Sequence, residues 1–289
     1  MVNHTPQLWA YLRLQVQPED IVIVGTSRGQ RGLEPAQLSE LLGQDVHQLA
    51  WRGAGAEPVL RSFAEDESFH GTVILDFMPS HWAAPASTVS ANGASRGLLA
   101  AYTNRSALLS AEISARLWAQ ERFSIASPDV TIEGLGRAAS GNPPVPGRNP
   151  LRLVPSGFVE FDSRWFDAER FERRALAREG LALWYAGYTR EDVSAGIVRL
   201  SLLVNRIESR GGRVITVRMP TTGRAWVRDA EHLPKAEVYD RFASEVGGEW
   251  HHFTEMAGAE DLYAPDGSHL DSPSSANFTS WVATIARPL

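Results

Sequence analysis

An α/β architecture with a mainly parallel sheet and a large insertion in the middle of the chain is what this sequence predicts, on three observations. Short β-branched runs of strand length alternate with helical patterns. Between Thr189 and Met219 a capped helix, a glycine stop and an apolar strand follow one another, the order of a parallel βαβ unit. Near the N-terminus, the run Ile21-Val-Ile-Val24 ends abruptly in Gly25-Thr-Ser-Arg-Gly29, as a buried strand does at the carboxyl edge of such a sheet.

Taken in order, Ile21 to Val24 is the first strand. Glu34 to Leu42 is a helix, with Pro35 pre-set for its first turn, and Val46 to Trp51 is a second short strand. Val73 to Phe77, inside GTVILDFMPSHW, is the third. Between Trp82 and Tyr188 the pattern lapses. Ser106 to Arg122 reads as an amphipathic helix with Leu109, Ile113, Leu117 and Trp118 inward. Pro128 to Gly157, which contains GNPPVPGRNP, is too long and too rich in Gly and Pro for a simple connection. With Phe158 to Phe166 and a charged helix near Asp167 to Arg178, the span 83–188 reads as an insertion over one edge of the sheet, inside a single domain covering 1–289. Thr189 and Asp192 then form a capping box, and Val193, Ile197, Leu200, Leu203, Val204 and Ile207 recur at helical spacing. Gly211 and Gly212 stop that helix, and Arg213 to Met219 returns as a strand closed by Pro220. Phe242 to Glu245 and Trp250 to Phe253 form a weaker helix and strand pair.

Composition narrows the function classes. The 289 residues are 43% hydrophobic and 21% charged with a net charge of -6, a balance that supports a full core and lacks the clustered positive charge that nucleic acid or an anionic membrane demands. Small or neutral partners are expected instead. Cysteine is absent, which excludes a disulfide framework and thiolate metal sites and requires any nucleophile to be another side chain. No apolar run approaches the roughly 18 to 20 residues of a membrane span. The N-terminal MVNHTPQLWAYLRLQVQ also lacks the layout of a signal peptide, so the chain as written is expected to be soluble. Its compartment stays open: cytoplasmic if Met1 is native, periplasmic or cell-envelope if an anchor has been trimmed. Oligomeric state is likewise open.

The Gly25 to Gly29 turn admits two readings. Ser27 there is either an N-cap for the following helix or an exposed hydroxyl whose own N–H faces a developing oxyanion. A phosphate cradle fits less well, since GTSRGQRG has neither the GxGxxG spacing nor a P-loop lysine. Near the other end, in Tyr263-Ala-Pro-Asp-Gly-Ser-His-Leu-Asp271, Asp266 precedes His269 by three residues, close enough to hydrogen-bond in a turn or the first turn of the last helix. Histidine, with a free pKa of about 6.5, can take a serine proton and return it to a leaving group while a carboxylate holds the ring. Ser27, His269 and Asp266 thus make a complete set of nucleophile, base and orienter.

At these residues the chain resembles the SGNH (GDSL-like) hydrolase superfamily. Gly25 to Ser27 is similar to its first block, and DGSHL followed by SANFTSWVATIA at Ser275 to Ala286 to its last block and terminal helix. QLAWRG at Gln48 to Gly53 falls where the second block places an oxyanion glycine, and RGGRVITVRMP matches the strand before the last block. The resemblance covers roughly residues 15 to 82 and 190 to 289. It implies a flavodoxin-like three-layer α/β/α sandwich, with Ser27 as nucleophile, His269 as general base and Asp266 as its orienter. The Gly53 N–H would then serve the oxyanion beside that of Ser27. The third block departs from the pattern: where the family has Gly-x-Asn, this chain reads Asp76-Phe-Met-Pro-Ser-His81, which leaves Ser80 or His81 as substitute donors. Loss of one such donor costs about 10² to 10³ in rate. The GTSR-type first block and large insertion are most similar to the bacterial branch acting on O-acetyl groups of polysaccharide or cell envelope.

Other residues have competing readings. Arg28 either holds an acidic sugar or pairs with a carboxylate such as Glu34, and His81 is either a site residue or a packed surface histidine. Trp51, Trp82 and Trp165 are placed to stack on sugar, although core packing is the default for tryptophan. His251 and His252, adjacent on a strand, point to opposite faces and do not read as a metal site. Arg170, Arg173, Arg174 and Arg178, interleaved with Glu169, Glu172 and Glu179, read as a solvated helix face. The expectation is a serine esterase or O-acyltransferase working through an acyl-Ser27 intermediate on short acyl esters of a carbohydrate, a glycan or small-molecule ester, with no metal or organic cofactor. The alternative from a different class is a catalytically silent SGNH-like domain that binds glycan or a protein partner.

Overall fold

The structure, a computed structural model, describes residues 5–84, 89–106, 111–115, 118, 151–167, 169 and 188–287. A five-stranded sheet runs through it: β1 (Ile21–Val24), β2 (Val46–Gln48), β3 (Thr72–Asp76), β6 (Arg213–Arg218) and β7 (Glu249–His252), in the order β2-β1-β3-β6-β7. Every neighbouring pair is parallel. A separate antiparallel hairpin is formed by β4 (Leu151–Leu153) and β5 (Val159–Phe161). The chain leaves β1 for β2 on one side and then returns to β3 on the other. That reversal makes the carboxyl end of β1 the switch point where doubly wound sheets bind ligands.

Alternating strand residues feed two apolar layers, as the period of two demands. Val22, Val24, Val73, Leu75 and Val214 face one layer with Trp9, Leu60, Phe63, Leu200, Leu203 and Phe242, contributed by helices Pro6–Leu14, Ala56–Glu65, Arg190–Glu208 and Tyr239–Glu245. Ile21, Ile23, Ile74, Ile215 and Val217 face the other with Leu38, Phe278 and Val282, from helices Pro35–Leu42 and Ser272–Ala286. Helices therefore cover both faces. Each fully buried aliphatic side chain contributes roughly 1.5–3 kcal/mol, which is why β1 reads as an unbroken β-branched run.

The capping box at Thr189 forms as expected: the Thr189 Oγ1 accepts from the Asp192 N–H at 3.1 Å and Asp192 Oδ2 accepts from the Thr189 N–H at 2.9 Å. Other expectations need correction. The second strand ends at Gln48 rather than Trp51, because the chain peels off to put Trp51 into the core, 5% exposed. Leu151–Leu153, expected as loop, pairs with β5 as a strand. Trp118, expected inward, is 55% exposed, whereas Ile113 packs against the core. Most of the Ser106 to Arg122 helix, the Gly/Pro-rich stretch up to residue 150 and the charged run at 170–178 lie outside the described residues. Helices Pro6–Leu14, Ala56–Glu65 and Gly223–His232 were not anticipated at all.

Candidate active site

Three loops meet at the carboxyl edge of β1, β2 and β3. Thr26, in extended conformation, is the N-cap of the short helix Ser27–Gly32, its Oγ1 accepting from the Arg28 N–H at 3.2 Å. The cap reading of Ser27 is thereby corrected: Thr26 takes that role, and Ser27, one residue on, keeps its hydroxyl free for another partner. That partner is His269, 242 residues away, whose Nε2 lies 2.7 Å from Ser27 Oγ. His269 Nδ1 lies 2.7 Å from Asp266 Oδ2. A carboxylate only accepts, so Nδ1 carries the ring proton and the Nε2 lone pair receives the Ser27 O–H.

Asp266 and His269 sit in the turn before the last helix, one of the two placements the sequence allowed, and not in the first turn of that helix. Asp266 Oδ1 accepts from the Ser268 and His269 amides at 3.0 and 2.8 Å, which folds the turn around the carboxylate and fixes the imidazole. Burial pushes the Asp266 carboxyl up, but the bond and charge of His269 and these two amides outweigh it and hold the group below its usual range. His269 is lowered: burial disfavours the imidazolium first, Asp266 opposes, and the charges of Arg31 and Arg28 push further down. The helix behind this turn is anchored to the nucleophile side, because Thr279 Oγ1 accepts from the Glu34 N–H at 3.1 Å and Gln37 Nε2 donates to the Ala276 carbonyl at 3.0 Å.

The Gly25 to Gly29 turn is held from beneath by a residue that sequence reasoning had passed over. Asp76, the last residue of β3 and fully buried, accepts at Oδ2 from the Thr26 N–H (2.8 Å), the Thr26 hydroxyl (2.7 Å) and the Gly29 N–H (3.0 Å). A side chain at position 25 would put its Cβ 2.3 Å from that of Asp76, so only glycine fits. The available signal was a lone carboxylate at the carboxyl end of an otherwise apolar strand, a position where buried charge requires donors.

The loop after β2 lies beside the Gly25 to Gly29 turn, with the Trp51 N–H donating to the Gly25 carbonyl at 3.2 Å. Gly53 there has a φ of 71°, a left-handed conformation that favours glycine. Among the described residues neither its N–H nor that of Ser27 is hydrogen-bonded. Gln30, completely buried, ties these parts together: its Oε1 accepts from the Arg52 N–H at 3.0 Å and its Nε2 donates to the Gly157 carbonyl of the hairpin at 2.9 Å. Ser80 and His81 lie on the short helix Pro79–Trp82 that follows β3. Burial pushes the His81 imidazole down to about 4, with Asp76 opposing and Arg28 adding to the effect. It is neutral at physiological pH, and among the described residues its buried Nδ1 has no hydrogen-bond partner.

Arg28 is fully engaged: its Nε donates to Ser268 Oγ at 3.0 Å, and its guanidinium lies 3.5 Å from Asp229, which also holds the buried Arg218. Its carboxylate is thus Asp229 rather than Glu34. Trp51 is corrected as a substrate contact, since its ring belongs to the core cluster, as does that of Trp82. The side chain of Trp165 lies outside the described residues. His252 is buried with its pKa pushed down to about 3 by burial and by Arg218, while His251 lies 3.6 Å from Glu255. Among the described residues no group of three or more His, Asp or Glu side chains is arranged to hold a metal ion, and no helix is long and apolar enough to cross a membrane. Comparison of the chain with protein-family models, with curated proteins and with solved structures gave no match.

Proposed function

We propose that the protein is a serine esterase or O-acyltransferase of SGNH type that works through an acyl-Ser27 intermediate. The observation that carries the reading is the unbroken relay Ser27–His269–Asp266, with 2.7 Å at each of its two links. In the reaction, Ser27 Oγ attacks the ester carbonyl as its proton passes to His269 Nε2. The tetrahedral oxyanion is received by the Ser27 and Gly53 amides, with Ser80 or neutral His81 in the place of the family's asparagine. His269 then protonates the departing alcohol, and water or a second hydroxyl, deprotonated by the same imidazole, releases the acyl group. Short acyl esters of a carbohydrate are the proposed substrates, on the strength of the resemblance in the first and last blocks.

Labelling with a fluorophosphonate probe tests the nucleophile. The parent is expected to label and Ser27→Ala to remain unlabelled. A folded parent that does not label overturns the proposal and favours the silent glycan- or partner-binding domain, in keeping with the missing asparagine.

Turnover of 4-nitrophenyl acetate should also report the charge state of the base. Only neutral His269 accepts the serine proton, so kcat/KM rises with pH through its pKa. Because burial and two nearby arginines depress that pKa below the ordinary 6.5, the midpoint of the acid limb is expected below 6.5. Initial rates from pH 4 to 9 check this, and a midpoint above 6.5 contradicts it.

A further inference from the structure

We infer that the ester handled at this site carries an anionic group, a carboxylate or phosphate oxyanion, held between the guanidiniums of Arg31 and Arg52. The inference rests on the proposed acyl-Ser27 chemistry for its substrate, but on separate residues for its evidence. Arg31 lies four residues beyond Ser27, so both project from one face of the same helix, with Cβ atoms about 5–6 Å apart. Its side chain is 12% exposed, yet its nearest carboxylate oxygen, on Asp266, is 3.9 Å away, beyond hydrogen-bond reach. Asp266 accepts from two amides at Oδ1 and from His269 at Oδ2, so Arg31 meets it only at ion-pair distance. Among the described residues Arg31 Nε is buried without a hydrogen-bond partner, and the guanidinium lies 5.9 Å from the centroid of the Phe161 ring. A buried cation so poorly matched is costly unless a ligand completes its shell.

Arg52 supplies the second half. It is exposed, adjoins Gly53, and makes no side-chain hydrogen bond or ion pair among the described residues. Its backbone is pinned to the nucleophile helix through Gln30 at 3.0 Å, and its charge is near enough to depress the Arg31 pKa. Two like charges held together in this way repel until an anion enters between them. Arg28, on the same helix, differs in having a hydrogen bond to Ser268 Oγ at 3.0 Å and Asp229 at 3.5 Å. The surplus falls on the helix that begins at Ser27 and on the neighbour of Gly53, in a chain whose overall charge is -6.

A matched pair of esters tests the inference: 3-acetoxybenzoate and 3-acetoxybenzamide, which differ in charge and share the scissile bond. At low salt the parent is expected to favour the benzoate in kcat/KM roughly tenfold, the scale of one charge-assisted hydrogen bond. That ratio should fall toward one in Arg52→Gln, a surface change that leaves folding intact, and in Arg31→Gln, and should shrink as salt is raised. Titration calorimetry of 3-hydroxybenzoate and 3-hydroxybenzamide into Ser27→Ala reads the anion site without turnover. Anion-selective binding that Arg52→Gln weakens upholds the site even if the parent cleaves neither ester, an outcome that sinks the esterase proposal alone. Equal handling of both compounds in turnover and binding overturns the inference, as does a preference that Arg52→Gln leaves unchanged.

Discussion

Ser27→Ala is expected to lower ester turnover by about 10⁶, His269→Ala by nearly as much, and the double variant by no more than either alone. The reason is that each residue works only through the other. Without His269 the Ser27 hydroxyl has no acceptor for its proton, and without Ser27 the imidazole activates nothing, since its Nε2 faces that one oxygen at 2.7 Å. Asp266→Asn is expected to cost about 10⁴ by a different route. An amide in that place can offer its N–H to Nδ1 and turn the ring over to the wrong tautomer, although the turn itself would still be closed by the Ser268 and His269 amides. Burst and steady-state kinetics on 4-nitrophenyl acetate measure all four. Losses that multiply in the double variant would show two independent contributions and rule out the relay.

Asp76→Ala should destabilise the protein by about 3 kcal/mol, seen as a drop of roughly 5–10 °C in Tm. Three donors converge on one buried oxygen, and removing it strands the Thr26 and Gly29 amides away from water. Asp76→Asn separates geometry from charge. The asparagine carbonyl can accept from all three donors, so its loss should be well under half that of alanine. Equal losses for the two variants would mean that charge, and not acceptor geometry, holds the turn. In either variant fluorophosphonate labelling should slow more than stability alone explains, because Ser27 is carried by the turn that Asp76 fixes.

Much of this was legible in the sequence for identifiable reasons. β1 is apolar throughout, and β3 and β6 carry the apolar runs Val73–Leu75 and Val214–Ile215 between polar ends, because these strands are buried on both faces; helix Arg190–Glu208 announces itself through its capping box and spacing. Ser27, Asp266 and His269 were picked out because a strand end and an Asp-x-x-His turn are local patterns. What escaped depends on contacts between distant segments. Nothing near Asp76 reveals that its donors come from residues 26 and 29, and nothing near Gln30 reveals that it reaches Arg52 and Gly157. Helix Ala56–Glu65 was readable but missed, since Val59, Leu60, Phe63 and Ala64 recur at helical spacing, while Trp51 looked available only because the second strand was extended three residues too far, past Gln48.

The separation of 242 positions between Ser27 and His269 has a meaning for how the protein is made. Synthesis runs from the N-terminus, so the nucleophile turn, its Asp76 support and the oxyanion loop all leave the ribosome before the segment holding Asp266 and His269. Until then Ser27 is an ordinary alcohol, largely inert toward esters. Docking of helix Ser272–Ala286 against helix Pro35–Leu42 is the event that delivers the imidazole. On the proposed chemistry Ser27 gains its base only once the turn holding Asp266 and His269 is in place, so a copy with that turn misdocked would be chemically quiet.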